Sequence, residues 1–205
     1  MRSLLLATTN QHKVEELRTI FADLPWQLLS LNDLHIDMDV EETGTTFQEN
    51  SELKARAYAQ AAGMLVLAED SGLEIDALNG EPGVYSARFL GADTPYAQRF
   101  NYILAHMRNV LPPERRTARF HSVITLAEPS GYHRSVEGVI EGIIADEPRG
   151  NNGFGYDPIF FVPAFGMTTA EMLAEQKNSI SHRGLAALKA RKLLEGWPQS
   201  PPSHA

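Results

Sequence analysis

The stretch that most constrains this chain is Leu65-Val66-Leu67-Ala68-Glu69-Asp70-Ser71-Gly72. Four apolar residues without alternation predict a strand covered on both faces, as inside a parallel or mixed sheet with helices on each side. Such a strand points to an α/β architecture. Ligands in open α/β sheets gather beyond the carboxyl ends of the strands, so Asp70 is expected at the mouth of a site. The same polar residues would also serve as a plain turn closing the strand.

The flanking segments fit that scheme. Ser3-Leu4-Leu5-Leu6-Ala7 is a second apolar run and reads as the first strand. A polar hexapeptide, Thr8-Thr9-Asn10-Gln11-His12-Lys13, follows it, and Val14, Leu17, Ile20 and Phe21 then share one helical face. Backbone N–H groups at the helix start, the Thr8 and Thr9 hydroxyls and the Lys13 ammonium would together suit a phosphate. Asn10 by itself reads as the helix N-cap. The glycines of a Walker loop or a dinucleotide fingerprint are missing. Trp26 to Leu31 predicts a second strand, and Asp37 to Glu42 is an acidic loop with four carboxylates in six residues. Thr46-Phe47-Gln48-Glu49 has capping-box spacing, and the alanine-rich run from Asn50 to Ala62 predicts a helix stopped by Gly63.

Beyond Asp70, Asn79-Gly80-Glu81-Pro82-Gly83 is turn chemistry, and Pro95 to Met107 predicts a helix. Arg116 to Leu126 is strand-like, and Tyr132 to Ile144 predicts one or two strands broken at Gly138 and Gly142. Gly150 to Pro158 interleaves glycines with aromatics. That suits a loop whose backbone approaches a ligand, or equally a hairpin loop with packed aromatics. Ile159 to Val162 is apolar, Lys177 to Arg183 precedes a helix over Gly184 to Leu194, and Trp197 to Ala205 is expected to be a disordered tail.

Composition narrows the function classes. The 205 residues contain no cysteine, which excludes disulfides and thiolate metal sites. No apolar stretch approaches the ~20 residues of a membrane span, so no membrane partner is expected. A net charge of −8 disfavours nucleic acid as a partner but allows a small polyanion whose charge a divalent cation bridges.

Four segments, in order, resemble one family. Ala7-Thr8-Thr9-Asn10-Gln11-His12-Lys13 is similar to the N-terminal signature of the inosine triphosphate pyrophosphatase family, also called the Ham1 family. Asp70-Ser71-Gly72-Leu73 with Pro82-Gly83-Val84-Tyr85-Ser86-Ala87-Arg88 resembles its central signature. Gly153-Phe154-Gly155-Tyr156-Asp157-Pro158 and Ser181-His182-Arg183 resemble the two C-terminal ones. One departure is visible: Glu69 stands where bacterial members usually carry a first aspartate, and it is left outside the expected site.

The resemblance implies a cytoplasmic enzyme that uses Mg²⁺ to split dITP, ITP and XTP into the monophosphate and pyrophosphate. It implies a long mixed β-sheet flanked by helices, in two lobes with a central active-site cleft. One domain over 1–196 and a homodimeric assembly are expected with it. Asp70 is then the metal ligand and the base that orients water. The family pattern E-x-G-x-T-F fits Glu42-Thr43-Gly44-Thr45-Thr46-Phe47 and selects Glu42 as second ligand. Thr8, Thr9, Asn10, Gln11, His12 and Lys13 would hold the phosphates, with Ser71 and Lys54 assisting. Phe154 would stack on the purine beside Gly155 and Tyr156, Asp157 would meet its edge, and Lys177, His182 and Arg183 would surround the 6-position. Without the family, His182 reads as a helix cap and Lys177 as a surface charge. The alternatives are a Maf-like pyrophosphatase acting on other nucleotides and a catalytically silent nucleotide-binding module.

Overall fold

The computed structural model describes residues 2–198. Its elements are β1 (Arg2–Leu6), α1 (Gln11–Ile20), β2 (Trp26–Ser30), α2 (Phe47–Ala62), β3 (Val66–Ile75), α3 (Tyr96–Met107), β4 (Thr117–Ala127), β5 (His133–Ile144), β6 (Phe160–Val162), β7 (Met167–Thr168), α4 (Ala174–Ile180) and α5 (His182–Glu195). The strands form one seven-stranded sheet in the order β2-β1-β3-β4-β5-β6-β7. β1 pairs parallel with both β2 and β3, whereas β5–β6 and β6–β7 are antiparallel, so the sheet is mixed, as expected. No helix among the described residues is long and apolar enough to cross a membrane.

The chain divides into two compact units. The first holds the residues up to Asp70, 122–138 and those from Arg183 on; the second holds 71–121 and 139–182. In the first unit, period-two alternation explains why β1 and β3 read as unbroken apolar runs. Leu4, Leu6, Leu65 and Leu67 pack with Val14 and Leu17 of α1 and with Ala186, Ala187, Ala190 and Leu194 of α5. Leu5, Ala7, Val66 and Ala68 pack on the opposite side with Ala55, Tyr58 and Ala59 of α2. The second unit has its own core, in which Leu73, Ile75, Ile103, Met107, Phe120, Tyr156 and Phe160 meet.

The local rules hold at the helix ends. Asn10 caps α1 by accepting from the His12 and Lys13 N–H groups, and α2 opens on a complete Thr46/Glu49 capping box and closes on Gly63 at φ +64°.

Four expectations need correction. β3 does not stop at Glu69 but runs ten residues to Ile75, so Asp70 lies within a strand. It still lies past the carboxyl end of β1, because the β1 pairing ends at Leu6↔Leu67 and β3 continues alone on that side. β5 passes unbroken through Gly138 and Gly142. A Cβ at Gly142 would meet the Phe161 carbonyl oxygen at 2.6 Å, so that glycine serves close strand packing. Lys177 lies in a short helix, α4, and α5 starts at His182 rather than Gly184. Trp197, expected in the tail, is buried, and its indole N–H donates to Glu128 at 2.7 Å. The rest of that expected tail, from 199 on, lies outside the described residues.

Candidate active site

Side chains alternate across a strand, so the neighbours Glu69 and Asp70 leave β3 on opposite faces. Asp70 follows Val66 and Ala68 to the α2 side. There Lys54 Nζ lies 2.8 Å from Asp70 Oδ1 and 2.6 Å from Glu42 Oε1, so two carboxylates converge on one cation. Asn50, one turn before Lys54 on α2, is fully buried. Its side-chain amide donates to Asp70 Oδ2 at 3.4 Å, and its Oδ1 accepts the Gly44 N–H at 2.8 Å. A Cβ on Gly44 would lie 2.7 Å from that oxygen, so the glycine lets the Glu42 loop dock on α2. Burial pushes the Asp70 carboxyl up, and attraction to Lys54 offsets this only in part. Burial alone would lower Lys54, but Asp70 and Glu42 outweigh it and raise its pKa.

Glu69 follows Leu67 to the α1 and α5 side. Its side chain is fully buried, receives Ser122 Oγ at 2.7 Å and Arg183 Nε at 2.9 Å, and has Lys13 Nζ at 3.7 Å. Burial alone would raise its pKa, but Arg183, Lys13 and Ser122 hold it far below the glutamate range. Lys13 is drawn below the usual lysine value, chiefly by burial and then by Arg183, against the pull of Glu69. In the hexapeptide, Thr8 Oγ1 accepts the Asn10 N–H at 3.2 Å, and Thr9, Gln11 and His12 are exposed. Since Asn10 takes the His12 and Lys13 amides at 3.0 and 3.3 Å, the Lys13 ammonium is the stronger candidate for an anion.

The expected base-reading residues, apart from Arg183, fall in the second unit. Asp157 Oδ2 accepts from the Phe154 N–H at 2.9 Å and from Lys177 Nζ at 2.7 Å, and Oδ1 accepts from Thr169 at 2.8 Å. A carboxylate offers about four lone-pair positions, which leaves one, on Oδ1. Asp157 is therefore chiefly the brace of its own loop. Gly153, at φ +71°, makes this possible: a Cβ there would fall 2.1 Å from Asp157 Oδ2. The Lys177 ammonium lies 5.1 Å from the Phe154 ring centroid, which pairs a cation with an aromatic face. His182 stacks on Phe120 at 4.6 Å and 15°.

Tyr156 differs from expectation, since it is a core residue whose hydroxyl donates to the Ser86 carbonyl at 2.9 Å. Arg183 differs too. The structure binds it to Glu69 and to Glu16 in the first unit, whereas Lys177 and His182 belong to the second.

The two-carboxylate set suits a hard divalent cation of the kind that keeps waters and takes phosphate oxygens for its remaining ligands. Among the described residues no group of three or more His, Asp or Glu side chains gathers to hold a metal alone. Sequence reasoning missed Asn50, Ser122 and Thr169. Asn50 carried a signal, a polar residue in the apolar stripe of α2 and four residues from Lys54. The other two carried none.

The chain as a whole is similar to known proteins. The model of the Ham1 family matches residues 4–193. A dITP/XTP pyrophosphatase of Thermus thermophilus is 50% identical over 198 residues, covering 97% of this chain and 93% of that relative. One from Listeria monocytogenes is 45% identical over 194 residues, covering 95% of each. A solved HAM1 protein from Coxiella burnetii superposes with a TM-score of 0.87 at 41% identity, covering 96% of this chain and 100% of that one.

Proposed function

The chain belongs to the Ham1 family, and on that premise we propose that it hydrolyses dITP, ITP and XTP to the nucleoside monophosphate and pyrophosphate. The observation that carries the reading is the convergence of Asp70 and Glu42 on one cationic position, with Lys13 held by the neighbouring Glu69. Neither a Maf-like activity nor a silent module is favoured, given a family match over almost the whole chain and two retained carboxylates.

Asp70 and Glu42 would hold Mg²⁺, which when bound neutralises triphosphate charge and makes water easier to deprotonate. Asp70 orients the attacking water and accepts its proton at a carboxylate oxygen. Lys54 holds the two carboxylates together in the free enzyme. Lys13, with Thr8, Thr9 and Ser71, binds the phosphate tail. No side-chain nucleophile is needed, since positioning and charge stabilisation suffice for phosphoryl transfer.

Phe154 is the stacking platform for the base. Lys177 beside it offers a donor to the O6 acceptor of a 6-oxo purine, where adenine presents an amino group. His182 and the remaining Oδ1 position of Asp157 are the other candidates for the base edge. The enzyme is proposed as a cytoplasmic homodimer, on the family resemblance alone.

The test is product analysis with dITP as substrate, with Mg²⁺ and in excess chelator. The reading requires dIMP and pyrophosphate in equal amounts and a chelator-sensitive rate. Release of dIDP and orthophosphate would refute the reaction, and full activity in chelator would refute the metal.

A further inference from the structure

Arg99 of α3 is among the largest fully buried side chains, yet its hydrogen-bond partners are backbone carbonyls. Nη1 donates to Ser86 O at 3.2 Å, and Nη2 to Gly91 O at 3.1 Å and Ala92 O at 3.3 Å. The guanidinium lies 4.8 Å from the Tyr96 ring centroid, and Nε has no hydrogen-bond partner among the described residues. Burying a guanidinium on dipoles alone is unfavourable, so the arrangement needs something that it accomplishes.

The Ser86 carbonyl supplies the reason. It accepts from Arg99 and also from the Tyr156 hydroxyl at 2.9 Å. Ser86 Oγ meanwhile accepts the Leu73 N–H at 2.9 Å and donates to Gly83 O at 2.6 Å, which fixes that carbonyl against β3. A second path runs through Tyr96. Its ring packs edge-on against Tyr156 at 5.2 Å, and its hydroxyl stands 3.6 Å from where a Cβ on Gly155 would lie. Arg99 therefore bears on both residues at the centre of the loop that carries Phe154 and Asp157.

We infer that Arg99 is a positioning residue for loop 153–157, acting through the Ser86 carbonyl that it shares with Tyr156. The inference rests on the reading of that loop as the base platform. Arg99 sets the affinity for the base and leaves the grip on the triphosphate, assigned to Thr8, Thr9 and Lys13 of the first unit and to Ser71, unaltered.

Steady-state kinetics on the full chain test this, with inorganic tripolyphosphate as a competitive probe that has no base. Arg99→Met should raise KM for dITP roughly tenfold, a displacement effect of well under the hundredfold that about 1 Å can cost. kcat should fall less than KM rises, and tripolyphosphate inhibition should stay within about twofold. Arg99→Lys, which keeps the charge and a donor, should recover part of the loss. An unchanged KM, or an equal weakening toward dITP and tripolyphosphate, would overturn the inference.

If Arg99→Met fails to fold, Tyr156→Phe removes only the hydroxyl on the shared carbonyl and should show the same split at about threefold. No split in Tyr156→Phe would count against the inference. If the wild-type protein releases no pyrophosphate, the enzymatic reading falls, and Arg99 is judged by hydrogen exchange instead. Faster exchange at the Phe154 N–H in Arg99→Met or Arg99→Lys than in wild type would support its role, and equal exchange would refute it.

Discussion

Glu69 and Asp70 are adjacent acids with different work, because a strand sends them to opposite faces. Asp70→Asn keeps the shape and removes the charge proposed to bind metal and to accept a proton. It should cut kcat by on the order of a hundredfold or more with little change in Tm; near-normal turnover in the folded variant would rule Asp70 out. Glu69 is a buried counter-ion. Its pKa is lowered on folding from an ordinary value of 4.5, so its contribution is complete above that pH and is lost as the pH falls. Acid unfolding should accordingly be shallower in Glu69→Gln than in wild type, read from ΔG against pH between about 6 and 3; parallel curves would contradict the pairing. Arg183→Ala removes the nearer cation from Glu69, which keeps Lys13 and Ser122, and takes the guanidinium from Glu16; breaking such a buried pair costs about 3–5 kcal/mol. For a chain of this size that is a Tm loss of roughly 10 °C, and an unchanged Tm would contradict it. The sequence could suggest Asp70 from the strand before it, but not the partner of Arg183. That partner lies 114 residues away, and pairing at such a separation leaves no periodic trace.

At the scale of elements, what could be read was what local chemistry determines. The Asn10 cap, the Thr46 capping box and the Gly63 stop were legible because each depends on a few neighbouring residues. The end of β3 was not. Glu69-Asp70-Ser71-Gly72 has turn composition, and only pairing within the sheet keeps it extended. α4 was missed because it spans seven residues, has no side-chain cap at Leu173, and ends in Ser179-Ile180 with Ser181 as its C-cap. The 150–158 loop was legible as glycine-dependent, though not in the manner found, for Gly153 clears space for Asp157. Gly153→Ala should therefore disrupt the loop through both the clash and the positive φ. We expect KM for dITP to rise about tenfold or more, and an unaltered KM would show that the loop does not bear on the base.

For the whole molecule, the α/β class followed from two apolar runs and the helices between them, and the mixed sheet from the family resemblance. That the residues proposed for the triphosphate, Ser71 apart, fall in one compact unit and most of those proposed for the base in the other did not. It arises from β3, β4 and β5 passing from one unit into the other, which no local pattern encodes. The proposed homodimer predicts about twice the 22.7 kDa chain mass by light scattering at micromolar concentration, and the mass of one chain would refute it. The central claim is that this protein hydrolyses purine triphosphates chosen by the group at position 6. The most direct measurement is kcat/KM for pyrophosphate release from dITP and from dATP under identical Mg²⁺. A site that donates to O6 and meets an amino group instead should favour dITP by on the order of a hundredfold or more, whereas a ratio near one would contradict the account.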